Sequence, residues 1–208
     1  MAVARADTDR PRRRDVEVLA AATKVFYERG YADATVQDVA DELGILKGSL
    51  YYYIKTKEDL LFRLLDEAHE HVETVRREAA VRDDLPPLEK LTRYVRGQVA
   101  YSVANLPRVA IYYQDVDRLS APRLRDIHRR RKAHEVWVVD LIRLAQERGE
   151  VGADLDPELL ANCMFGALIW LYRWHRPDSG KAPEDVVDHV TRYALAGITG
   201  AAVPRPGG

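Results

Sequence analysis

The 208-residue sequence holds one cysteine, Cys163, so it cannot close an intramolecular disulfide or build a cysteine-rich zinc site, and a reducing, cytoplasmic setting is expected. It also lacks a long hydrophobic run. The most apolar stretch, Leu159 to Tyr172, is interrupted by Asn162 and falls short of the roughly 20 residues that cross a bilayer, which predicts a buried helix and no membrane contact. No apolar segment of signal-peptide type follows the N-terminal arginines, because Glu17, Lys24 and Glu28 interrupt the next stretch; nothing directs export. An excess of charge of one sign is missing too. The 32 basic and 33 acidic residues leave a net charge of −1, unlike the strongly basic balance that nucleic-acid binders often carry. There is no glycine-flanked serine elbow, no phosphate loop and no paired histidine motif with a glutamate between, so no catalytic residue is assigned and no enzyme is expected. His69 and His71 lie two apart and His128 and His134 six apart, spacings that point to different sides of a helix, so no metal ligand and no cofactor is expected either.

What is present is a soluble, helical composition. Apolar residues make up 47% and charged residues 31%, and helical spacing recurs where no alternating strand pattern does, which predicts an all-α fold. A first helix is expected over Asp15 to Glu28, with Val18, Leu19, Ala22, Val25 and Phe26 on one face and Gly30 as its stop. Thr35 with Asp38, and Thr56 with Asp59, have the spacing of capping boxes and open two further helices. Between them Gly44 ends the first and Lys47 to Tyr53 forms a short one. A long helix is expected from Lys57 to about Arg82, then helices at about Leu88–Ala104, Val109–Asp117, Pro122–Arg148, Pro157–Arg173 and Pro183–Ile198, with prolines or glycines at most junctions. The expected layout is a flexible basic arm over 1–14, a three-helix DNA-binding domain over 15–56, a larger helical domain over 57–200 and a flexible tail over 201–208.

The informative stretch is TVQDVADELGILKGSLYYYIKTKEDLL, Thr35 to Leu61, which reads as a helix-turn-helix. Val36, Val39, Ala40 and Leu43 form the inner face of the supporting helix, Gly44 permits the tight turn, and Ile45, Leu50 and Ile54 fix the second helix. A helix fits the major groove with its N-terminal residues at the base edges, so Lys47, Gly48 and Ser49 are the candidate readers, and Gly48 lets the backbone approach. Tyr51, Tyr52 and Tyr53 offer rings and hydroxyls to thymine methyls or phosphates; Lys57 sits at a helix start beside a phosphate; Thr35 and Gln37 would touch DNA from the supporting helix. A helical corner of this kind is common, but a purely structural seven-residue helix has little reason to expose Tyr52 and Tyr53 together. For Tyr51 the competing reading, packing on the first helix, is stronger than for its neighbours. The arginines of the arm, Arg5, Arg10 and Arg12 to Arg14, are either a solvated tail or a DNA contact.

In order, the first helix, G-Y-A-D-A-T-V-Q-D-V-A, L-G-I, K-G-S-L-Y-Y-Y-I and K-T-K-E-D-L-L resemble the DNA-binding domain of TetR-type regulators over about residues 13–62. The resemblance implies a C-terminal helical domain that binds a small-molecule effector and forms a homodimer through its last two helices, and a repressor that effector releases from double-stranded operator DNA. A twofold dimer would set its recognition helices about one DNA turn, roughly 34 Å, apart on a near-palindromic operator. The apolar breadth of Leu159, Leu160, Cys163, Met164, Ala167, Leu168, Leu171 and Tyr172 fits a second buried surface there. VAIYYQDVDR from Val109 and RWHRP at 173–177 are similar to the regulators that respond to acyl-coenzyme A esters in fatty-acid or steroid catabolism. That similarity implies an acyl chain among Tyr112, Tyr113, Trp137, Met164 and Trp170, with Arg173 and Arg176 on the coenzyme A head; packing is the competing reading for each aromatic. Arg129 to Lys132 are read as a solvated face before a phosphate site. The alternative to an effector-controlled repressor is an architectural DNA binder without effector.

Overall fold

The computed structural model describes residues 9–200, with side chains from Arg14 onward. All its regular elements among these residues are helices. They run α1 (Asp9–Arg29), α2 (Val36–Glu42), α3 (Lys47–Leu50), α4 (Lys57–Ala80), α5 (Pro87–Ala104), α6 (Leu106–Asp115), a 3-10 turn (Val116–Arg118), α7 (Ala121–Glu147), α8 (Pro157–Ile169), α9 (Leu171–Trp174) and α10 (Pro183–Thr199). The chain divides into two compact units: residues up to Ala68 with Pro107–Arg125, and His69–Leu106 with the residues from Asp126 on. The sequence put its boundary between 56 and 57 instead. The reason for the difference is that Leu60, Leu61, Leu64 and Leu65, on the first half of α4, are buried in the first unit, as are Val109, Ala110 and Ile111 of α6.

Three elements depart from their expected bounds. α1 begins at Asp9 rather than Asp15, so residues 9–14 of the expected arm are helical; residues 1–8 and the tail over 201–208 lie outside the described residues. α3 ends at Leu50, because the amides of Tyr52 and Tyr53 bond to the carbonyls of Ser49 and Leu50, three residues back, and tighten the chain into a turn. The helix expected over Pro157 to Arg173 breaks at Trp170, where the Arg173 amide again bonds three residues back to the Trp170 carbonyl, at 3.0 Å.

In the first unit, the expected face of α1 is the buried one: Val18, Leu19, Ala22, Val25 and Phe26 are all interior. Phe26 meets Tyr31 edge-on at 5.1 Å. The second unit is built on α10, packed against α5 and α8, with a core running from Leu91, Tyr94 and Val95 through Val138 and Ile142 to Met164, Leu168 and Val190. Gly97 of α5 faces Val75 of α4. A Cβ there would lie 2.5 Å from Cγ1 of Val75.

Candidate nucleic-acid interface

The supporting helix α2 is fixed at both ends by its own sequence. Thr35 caps it: its hydroxyl accepts from the Asp38 amide at 3.1 Å, and the Asp38 carboxylate accepts from the Thr35 amide at 2.7 Å. The Thr35 hydroxyl, which also donates to that carboxylate at 2.7 Å, and the Thr35 amide, helped by Arg29 at 2.5 Å, hold the Asp38 carboxyl below its ordinary pKa. At the other end Gly44 takes φ +64°, its amide bonds to Asp41 and the Ile45 amide to Ala40, both at 3.0 Å, closing the helix in a Schellman motif. Val39 and Ala40 are buried, while Val36, Leu43 and Ile45 are half-buried. Lys24 of α1 clamps Glu42 at 2.8 Å.

The recognition segment follows with one anchor and several free faces. Leu50 is completely buried and Ile54 nearly so, which sets the angle of α3. Lys47, Gly48 and Ser49 are exposed, and Lys47 forms no ion pair among the described residues. Gly48 has open space around its Cα and an ordinary backbone, so nothing inside the protein requires glycine there. Tyr52 is 87% exposed, with its ring edge-on to Tyr53 at 5.2 Å. Tyr51 is exposed as well, which goes against its alternative packing on the first helix; Tyr53, expected to be exposed beside Tyr52, is half-covered. Leu46, 80% exposed at the start of α3, was missed by the sequence reading. Its signal was the Ile45–Leu46 pair, in which the core needs one apolar residue and receives two.

The remaining candidates are engaged with the protein itself. Gln37 is exposed and donates to Asp41 at 2.7 Å. Lys57 donates to the Ala32 carbonyl at 3.1 Å and stands 4.3 Å over the Tyr31 ring. Burial lowers its pKa, against the pull of Asp33 and Asp115. It staples the α1–α2 loop to α4. Asp59, the other half of the second capping box, is a hub: its carboxylate accepts from the Lys55 and Thr56 amides at 2.8 Å each and from the Arg123 guanidinium. Burial alone would raise its pKa, but these donors outweigh it and bring it to about 2. Arg123 also pairs with Glu58 at 3.3 Å and lies 5.0 Å over the Phe62 ring.

This arrangement, an exposed short helix on a capped support, is matched over residues 18–64 by the family of bacterial regulatory proteins, tetR family, and over residues 84–198 by the tetracyclin repressor-like C-terminal domain. The chain belongs to the TetR family. It is similar to the HTH-type transcriptional repressor KstR2 of Mycolicibacterium smegmatis, 30% identical over 90% of this chain and 91% of that protein. A KstR2 structure from Mycobacterium tuberculosis, described as a ketosteroid transcriptional regulator, superposes with a TM-score of 0.83 at 30% identity, covering 89% of this chain and 95% of the other. AibR, solved with isovaleryl coenzyme A and operator DNA, shares the fold at a TM-score of 0.76 and 24% identity, over 86% and 97% of the two chains. This TetR-family chain is therefore a transcription regulator, and no helix among its described residues is long and apolar enough to cross a membrane.

The residues expected to hold an effector are divided between the two units. Tyr112 is buried and meets Tyr113 edge-on at 5.1 Å in the first unit. Trp137 and Met164 belong to the second unit, Met164 fully in its core. Trp170 is 58% exposed and lines a surface groove of about 540 Å³ with Cys163, Gly166, Trp174, His189 and Tyr193. Arg173 lies 5.6 Å over the Trp170 ring, and Arg176 donates to the Arg173 and His175 carbonyls. Of the run Arg129 to Lys132, Arg129 and Arg130 pair with Asp126 and Lys132 with Glu135. Among the described residues no group of three or more histidines, cysteines or acids could hold a metal.

Proposed function

We propose that this regulator is a homodimeric repressor that reads a near-palindromic operator through Lys47, Gly48, Ser49 and Tyr52, and that a small-molecule effector, an acyl-coenzyme A ester, releases it. The observation that carries the DNA reading is α3 itself: Leu50 holds the helix from behind while Lys47 and Tyr52 project into solvent, Tyr52 with one ring edge against Tyr53. Tyr51 and Leu46 flank the same face and extend it toward backbone and thymine methyls. Thr35 and Gln37 face solvent on α2 and add phosphate contacts, whereas Lys57 serves DNA binding indirectly, by fixing the loop before α2. Dimerisation uses α8 and α10, where Leu159, Trp170 and Tyr193, with Trp174 of the short α9 between them, are exposed among the described residues. The effector class is supported by the RWHRP similarity and by the isovaleryl coenzyme A bound to AibR.

The test is fluorescence anisotropy on duplex DNA from the region upstream of the gene against a scrambled duplex, with and without acyl-coenzyme A esters. Lys47→Ala and Tyr52→Ala should each weaken selective binding by about tenfold or more, since a base or phosphate contact is worth roughly 1–3 kcal/mol. Unchanged affinity in both variants would remove α3 as the reading helix. Selective binding that no ester disturbs would discard the effector class and keep the regulator.

A further inference from the structure

The second unit contains a seam of polar and aromatic side chains between α4, α5 and α7 that the DNA-reading face does not use. His134 of α7 and His69 of α4 are both 94% buried, with their rings 6.1 Å apart and nearly perpendicular. Tyr94 of α5 lies 5.5 Å from His134 and 5.2 Å from Trp137. One turn further along α5 comes Gln98, and beyond it Tyr101, whose ring stacks on His71 at 4.2 Å; positions 94, 98 and 101 share one helical face. Two buried polar atoms on this seam, Nε2 of His134 and Nε2 of Gln98, have no hydrogen-bond partner among the described residues. Buried polar groups are nearly always paired, and two unpaired ones on facing helices mark a place where something else supplies the bond.

We propose that this seam is the polar end of the effector site, where His134 and Gln98 together hydrogen-bond one neutral oxygen, a carbonyl or hydroxyl within the apolar acyl portion of the effector. The proposal rests on the reading of the chain as an effector-controlled regulator. The Gln98 amide nitrogen can only donate, so the ligand atom must accept. A neutral oxygen follows from the charges around it. Burial, reinforced by His69 and Arg76 and opposed by Glu73, lowers the His134 pKa to about 4, so near pH 7 the ring carries no charge to balance an anion. The cation beside it is already taken: Arg76 donates through Nε to Glu73 at 2.8 Å and again through Nη2, and lies 5.8 Å over the Trp137 ring. Tyr94 and Trp137 supply flat apolar walls for the ligand body. Gly97 lets α5 sit close against Val75 of α4, which keeps Gln98 next to the seam.

The experiment is a titration of the full-length protein, labelled at its six histidines, with cyclohexanone as the neutral probe and cyclohexanecarboxylate as the anionic one, read by histidine-ring NMR. His134→Phe identifies the His134 signals. Cyclohexanone should shift them saturably, cyclohexanecarboxylate should not, and Gln98→Leu should weaken the cyclohexanone response about tenfold while leaving thermal stability equal or higher. Silence of the His134 signals, an equal response to the anion, or a Gln98→Leu variant that loses stability but still binds cyclohexanone would overturn the proposal. Operator binding by the same samples separates the two readings: operator binding with a silent seam defeats only this site, and a responsive seam with operator binding that no ester disturbs defeats the acyl-coenzyme A reading.

Discussion

Asp59→Asn removes one charge from the hub that joins the end of the helix-turn-helix to the start of α7, and keeps the shape. The fall of the Asp59 pKa from 3.8 to about 2 corresponds to about 2.4 kcal/mol of preference for the charged form in the fold. The side chain is 18% exposed, and solvent screening reduces this to about 1–1.5 kcal/mol of usable stability. For a chain of this length that is a drop in Tm of about 2–6 °C at pH 7. Because the folded pKa is depressed, the stabilisation is complete above the unfolded value near 4 and fades as pH falls through about 2. The gap between wild type and variant should therefore close over that acid window, followed by circular dichroism melts at pH 7, 4, 3 and 2. In an Arg123→Ala background the Asp59→Asn change should cost less, since the ion pair is already broken. A variant as stable as wild type at pH 7, or a gap independent of pH, would refute the assignment of Asp59 as the charged hub.

Gly44→Val places a β-branched residue at φ +64°, and should cost about 1–3 kcal/mol in melts while weakening operator binding through the displaced α3. Tyr193→Asp sets a carboxylate on the 74% exposed tyrosine of α10, and sedimentation equilibrium should show monomers where the wild type forms dimers. Operator affinity should fall with the dimer, because one recognition helix alone spans a single half-site; an intact Tyr193→Asp dimer places the interface elsewhere.

Where local chemistry decides the conformation, the sequence was sufficient. Thr35 and Asp38 form their capping box, Thr56 and Asp59 exchange the same reciprocal bonds, and Gly44 takes the positive φ that closes α2, because each depends on residues within one helical turn. The buried face of α1 followed from 3.6-residue spacing for the same reason. Tertiary structure decided the rest. Whether Tyr51 or Tyr53 turns inward depends on the tight turn after Leu50, and Lys57 points to the Ala32 carbonyl and the Tyr31 ring instead of solvent because a loop 25 residues upstream lies beneath it. The pairing of Asp59 with Arg123, and of His69 with His134, joins residues more than 60 positions apart. Spacing along one helix had argued only against a metal; it could not show that two buried imidazoles on different helices face one another, since that is fixed by how α4 and α7 pack.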